Sequence, residues 1–181
     1  MYRESFYRLY CLGVLYNSIM IEIRPIQPHE VIQAKHLIYE VAFEIFHDDL
    51  PLEQGIPYYE ARGELADMND IQANYFENGG IFLVMAEGNH ILGTGAIRRL
   101  EDGICELKRL WFHMEYHGQG YGYRMMQELL AEARARGYQK MRLQTDGKFQ
   151  TRAVDFYHRL GFYDIPFYGG DPDDIAMEME L

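Results

Sequence analysis

The sequence predicts an α/β (α+β) chain, a mixed, mostly antiparallel central sheet of six to seven strands flanked by about four helices. Three observations predict it. Apolar or alternating runs of strand length recur at 21–24, 81–86, 91–98, 105–113, 138–145, 162–165 and 175–180. Gly88-Asn89 and Asp102-Gly103 are two-residue hairpin signals that join three of these runs in antiparallel succession. Helical periods fill the intervals near 28–45, 57–77, 121–136 and 151–160.

In chain order, Ile21 and Ile23 alternate with Glu22 and Arg24, and Pro25 ends the first strand. Pro28 lies near a helix start with Glu30 in its first turn, and Val31, Ala34, Ile38, Val41, Ala42 and Ile45 form a core-facing stripe. Residues 48–54 read as a loop holding Pro51 and leading to Gly55. The aromatic, acidic stretch 57–77 reads as one or two short helices, interrupted near Gly63 and Asn69. Asn78-Gly79-Gly80 precedes the buried run 81–86, and Gly93 and Gly95 weaken or bulge the strand that pairs back on it. In the third helix Tyr121, Met125, Leu129 and Ala133 fall four apart, with Met126 and Leu130 beside them. Gly137 is a natural residue to follow it. A strand, a break at Asp146-Gly147-Lys148 and a short helix closed by Gly161 come next. The final strand pair brackets an acidic, glycine-rich loop at 166–174.

Between the strand 105–113 and the third helix lies His117-Gly118-Gln119-Gly120-Tyr121-Gly122, with glycine at every second position. A strand, glycine turn and helix start in that order aim free backbone N–H groups and the positive end of the helix dipole at whatever lies in front. An anion is held there without a basic side chain, and glycine lets it approach the backbone closely. A turn with no ligand fits the same residues. The dinucleotide fingerprint does not, since its spacing is G-x-G-x-x-G, and no Lys-Ser or Lys-Thr completes a Walker loop. The glycine turn here also follows three antiparallel strands, whereas a dinucleotide-binding half places it after its first.

This stretch resembles the acyl-CoA motif of the GNAT (Gcn5-related) N-acetyltransferases, Arg/Gln-x-x-Gly-x-Gly/Ala, with His117 in the Arg/Gln place and Gly120 and Gly122 as the two glycines. The family's second signature is matched by the strand 142–145, by Gln150-Thr151-Arg152-Ala153 in place of Asn-x-x-Ala, and by Phe156-Tyr157 ahead of Gly161-Phe162. The departures are His117 and Gln150. The resemblance covers roughly 20–181 and implies the GNAT fold, with acetyl-CoA as co-substrate. It implies that Leu110, Trp111, Phe112, His117, Gly118, Gln119, Gly120, Tyr121, Gly122, Gln150, Ala153 and Phe156 bind the cofactor. Glu106 would be the general base and Tyr157 the general acid, and a backbone N–H at 110–112 would polarise the carbonyl. The implied activity is direct acetyl transfer to a primary amine of a small molecule or peptide, and a homodimer is a family-level expectation. A non-catalytic acyl-CoA-binding or regulatory module on the same fold is the alternative. Glu106 also reads as a cross-strand partner for Lys108 or Arg98, and Tyr157 as an amphipathic core tyrosine.

The 181 residues fit one domain with a full core, and the net charge of −11 argues against nucleic acid or an anionic membrane as partner. That charge suits a cationic acceptor. It requires a locally positive site for a polyanionic cofactor, for which Arg124, Lys148, Arg152 and Arg159 are near the motif. Asp171, Asp173 and Asp174 hint at a cation in the acceptor. No Cys-His cluster has metal-ligand spacing, so no metal is expected. Cys11 and Cys105 make no disulfide framework, and a reducing, cytoplasmic setting is expected. Residues 1–19 carry no unbroken apolar span and read as an extension or arm ahead of a single domain at 20–181.

Overall fold

The computed structural model describes residues 20–46, 49–169 and 173–181. The expected extension at 1–19 lies outside them. The strands are β1 (Ile21–Pro25), β2 (Ile81–Glu87), β3 (His90–Glu101), β4 (Ile104–Phe112), β5 (Lys140–Asp146), β6 (Tyr163–Ile165) and β7 (Asp174–Glu180). They form one sheet in the order β1-β2-β3-β4-β5-β7-β6. Every neighbouring pair is antiparallel except β4 with β5.

The helices are α1 (Val31–Phe46), α2 (Leu52–Ala61), α3 (Tyr121–Ala135) and α4 (Thr151–Leu160). Two short segments, a 3-10 helix at Ala66–Asp70 and a π-helical turn at Gln72–Phe76, follow α2. Helix α2 begins within the stretch expected to be a loop. Pro51 takes its N-cap position, and Gly55 lies against the Phe43 ring of α1, where a Cβ would stand 2.0 Å from Cζ. The glycine serves close helix packing rather than a turn, which is why its presence misleads a reading of the sequence alone.

The alternation along β2 divides the core. Ile81, Leu83 and Met85 face one cluster, with Met125, Met126, Leu129, Leu130 and Ala133 of α3. Phe82 and Val84 face the other, with Ala34, Leu37, Ile38 and Val41 of α1 and Met68 and Tyr75 beyond α2. Each fully buried aliphatic or methionine side chain contributes about 1.5–3 kcal/mol of transfer free energy. The third and fourth helices therefore cover one face of the sheet, and α1 with the short segments covers the other.

Two departures from regular sheet position the site. Parallel pairing of β4 with β5 covers only Ile104↔Lys140, Cys105↔Met141 and Glu106↔Arg142, and both strands then run on without pairing to each other. The strands thus open a notch from residue 107 onward. On the other side of β4, Thr94 pairs with Trp111 and Ala96 with Lys108, so Arg109 and Leu110 stand opposite the single residue Gly95. The bulge expected in β3 at its glycines is present against β2, where Met85 pairs with Gly93 and Ala86 with Ile91, leaving Leu92 over; the irregularity at Gly95 has its extra residue in β4. It inverts the alternation: Cys105 and Leu107 face the α3 cluster before it, and Leu110 and Phe112 face the same cluster after it.

Candidate active site

The glycine turn stands at the open end of the notch. Gly118 and Gly120 adopt φ +77° and +82°, a left-handed conformation that favours glycine, and neither has a heavy atom within 4 Å of where a Cβ would be. Gly120 is the N-cap of α3 and offers no side-chain acceptor. The N–H groups of Tyr121, Gly122 and Tyr123, at the first turn, have no bond among the described residues, and the first intrahelical donor is Arg124, which bonds to Gly120 O at 3.0 Å. Gly122 faces the Phe156 ring across the gap to α4.

A cavity of about 1000 Å³ extends from these amides along the notch to the far side of the sheet. Leu110, Trp111, Phe112, His117, Gly118, Gly120, Tyr121, Gly122, Gln150, Ala153, Phe156 and Tyr157 all line it. Of the side chains expected at the cofactor, only Gln119 does not, because its amide donates back to Glu115 O at 2.7 Å. His117 lines the cavity while its Nε2 lies 2.9 Å from Phe112 O, tying the glycine turn to the end of β4. Gln150 accepts a 2.7 Å bond from the Thr145 hydroxyl and sits at the N-cap of α4.

Tyr157 is 7% exposed and stacks edge-on with Phe162. Its hydroxyl makes no hydrogen bond among the described residues, and burial pushes its pKa well above the ordinary tyrosine value. It therefore keeps its proton at neutral pH, in the cavity wall, with nothing among the described residues competing for it.

Glu106 is placed differently. It lies on the sheet face opposite α3, 3% exposed, and does not line the cavity. One carboxylate oxygen accepts from Arg98 Nε and Nη2 at 3.0 and 2.8 Å, and the Tyr168 hydroxyl donates to the other at 3.4 Å. On the same face Lys108 has its pKa lowered, by burial first, and it has no ion-pair partner among the described residues. Cys105 is fully buried and its thiol is pushed up to about 12 by desolvation, so it is a core residue and no nucleophile.

Arg109 was not foreseen. It is the one non-glycine residue among those described with positive φ, at 55°, and it forms the bulge of β4. Its guanidinium pairs with Asp67, with Nε 3.0 Å from Oδ2, and donates to Glu64 O at 3.0 Å. Tyr75 donates its buried hydroxyl to the same Asp67, and Thr94 donates to Arg109 O at 2.7 Å. Burial alone would raise the Asp67 pKa, but the Arg109 and Tyr75 bonds outweigh it and hold the carboxyl below its usual range. The segment beyond α2 thus locks a strained residue in the strand that borders the notch. The apolar positions 105, 107, 110 and 112 were the signal for it, since their spacing changes parity at 109.

Among the described residues no group of His, Cys, Asp and Glu could hold a metal ion, and no helix is long and apolar enough to cross a membrane. Asp171 lies outside the described residues, and Asp174 begins β7 opposite Asp146.

Comparison with known proteins now decides the family. The family model described as "Acetyltransferase (GNAT) family" matches residues 39–162. The chain belongs to the GNAT acetyltransferase family. Among curated relatives, it is 36% identical over 104 residues to the IAA acetyltransferase of Azospirillum brasilense, covering 55% of this chain and 67% of that one. It is 30% identical over 99 residues to the uncharacterized N-acetyltransferase YsnE of Bacillus subtilis, covering 52% and 66%. The match therefore spans about two thirds of those relatives' length. Among solved structures, a GNAT acetyltransferase of Staphylococcus aureus Mu50 superposes with TM-score 0.76 at 20% identity, over 90% of this chain and 99% of that one. The PaiA N-acetyltransferase of Thermoplasma acidophilum, solved in complex with coenzyme A, gives 0.70 at 20% identity over the same shares. At those identities the likeness is one of fold. This GNAT protein has the family's mostly antiparallel seven-stranded sheet.

Proposed function

We propose that this GNAT protein is an acetyl-CoA-dependent N-acetyltransferase that transfers acetyl directly to a primary amine of a small molecule or peptide. The observation that carries the reading is a single cavity that joins the unpaired amides of α3, the opened β4–β5 notch and the Tyr157 hydroxyl. The residues fit coenzyme A: Gly118 and Gly120 leave the front of the amides clear of any Cβ, and the amides of Tyr121, Gly122 and Tyr123 suit a pyrophosphate. Arg152 and Arg159, also in the cavity wall, add positive charge in a chain whose net charge is −11.

When bound, acetyl-CoA supplies an activated acyl thioester. The chain's residues do the rest. Beyond Glu106 the β5-facing edge of β4 is not paired with β5, and a backbone N–H on that edge within 110–112 is proposed to polarise the carbonyl oxygen. Tyr157 holds a proton for the departing thiolate. A Lys-like amine has an unperturbed pKa of about 10.4 and must lose a proton to attack. Glu106, which does not itself line the cavity, is proposed to take that proton through water. Oε1, which accepts the 3.4 Å bond from Tyr168, is the oxygen available for that, while Oε2 stays with Arg98.

The experiment is acetyl-CoA turnover on a panel of primary amines, run with calorimetry of coenzyme A binding. Micromolar binding with turnover supports the enzyme. Binding without turnover on any amine favours the acyl-CoA-binding module instead. Glu106→Gln should lower turnover by about 10²-fold or more if the carboxylate is the base. A change within about twofold would leave it only the ion pair with Arg98.

A further inference from the structure

The cavity has two electrical ends. At one, the first residues of α3 line it, so a positive helix terminus faces inward. At the other, Val41, Glu44 and Ile45 line it, and these belong to the last two turns of α1. A helix C-terminus is the negative end of its dipole, and the last turn of α1 holds no basic residue to offset it. Glu44 adds a full charge there, and it has no hydrogen-bond or ion-pair partner among the described residues.

The walls around Glu44 are apolar. Val41, Ile45, Trp111, Met114 and Phe149 line that end. Phe149 meets Phe46 of α1 edge-on at 5.6 Å, so the rim is an aromatic contact joining α1 to the loop before α4. Lys148 stands beside this rim, its Nζ 4.8 Å from the centre of the Phe149 ring, and a small hydrophilic amine would leave the apolar walls uncovered.

We infer that the α1 end is the acceptor subsite and that it selects a cationic primary amine on an apolar, ring-bearing body, with Glu44 holding the ammonium. This rests on the N-acetyltransferase reading of the same cavity and deepens it. The amine arrives protonated, is held by Glu44 and the α1 terminus, and its body lies between Trp111 and Phe149. Glu44 is a specificity residue and plays no part in cofactor binding.

The test compares 2-phenylethylamine, methylamine and glutamate as acceptors, with release of coenzyme A thiol as the readout. The wild type should use 2-phenylethylamine about a hundredfold better in kcat/KM than glutamate, and better than methylamine. Glu44→Gln should raise KM for 2-phenylethylamine about ten- to a hundredfold, as for a lost charged hydrogen bond, with kcat within about threefold. Glu44→Lys should shift preference toward glutamate. Coenzyme A affinity should stay unchanged in both variants, and since Glu44 is exposed both should fold. An unchanged KM in Glu44→Gln overturns the inference, as does a wild type that prefers glutamate or ignores all three amines while binding coenzyme A. A wild type that does not bind coenzyme A defeats the underlying reading instead.

Discussion

Tyr157→Phe should lower acetyl transfer by about 10²-fold or more at pH 7 while leaving coenzyme A affinity unchanged. Loss of the hydroxyl removes only a proton donor, because that group bonds to nothing among the described residues and the ring packing on Phe156 and Phe162 is kept. The pH dependence identifies the role. A thiol pKa near 8.5 means the leaving group departs unaided as thiolate at higher pH. The deficit should therefore be largest below about pH 8.5 and shrink above it. Burial holds the tyrosine pKa high enough that the wild type keeps its donor across this window. A core tyrosine with no chemical role would give a Phe variant of unaltered rate and equal or greater stability, so a rate within about twofold removes the acid assignment.

Arg109→Ala should cost about 3–5 kcal/mol of stability, since it strands the largely buried Asp67 carboxylate without its guanidinium. For a chain of this size that lowers Tm on the order of 10 °C. Arg109→Gly loses the same ion pair, yet it should recover about 1–2 kcal/mol, because glycine adopts the left-handed φ of the bulge without a Cβ penalty. Turnover should follow the same order at a temperature where both variants are folded, with glycine retaining more than alanine and coenzyme A affinity equal. That ordering would tie the rate to the backbone conformation of β4 beside the notch. Equal stability and rate in the two variants would show that only the charge pair matters.

The frame of the fold was legible because its signals are local. The hairpin residues at 88–89 and 102–103, the four-residue spacing in α3 and the glycines at 137 and 161 each fix a turn or a stripe by sequence neighbours alone. The start of α2 was not, since Gly55 answers to the Phe43 ring and not to its own backbone. In the site, the glycine turn and the α4 residues were readable from the motif and come together around one cavity. The Gln119 side chain turns back to Glu115 O, a direction that motif membership does not give. Arg109 depends on Asp67, 42 residues earlier, and Glu44 looks like any solvated position on an amphipathic helix until the cavity wall is seen.

Unpaired amides at the start of α3 are proposed to hold the pyrophosphate of coenzyme A. Calorimetric titration of the Gly120→Val variant with coenzyme A tests it most directly. Gly120 is exposed, so the fold should persist, but a β-branched residue cannot keep φ at +82° and the amides should lose their common aim. The expected affinity is at least about thirtyfold weaker than wild type, from the loss of one or more charge-assisted hydrogen bonds. An affinity within about twofold of wild type would contradict it.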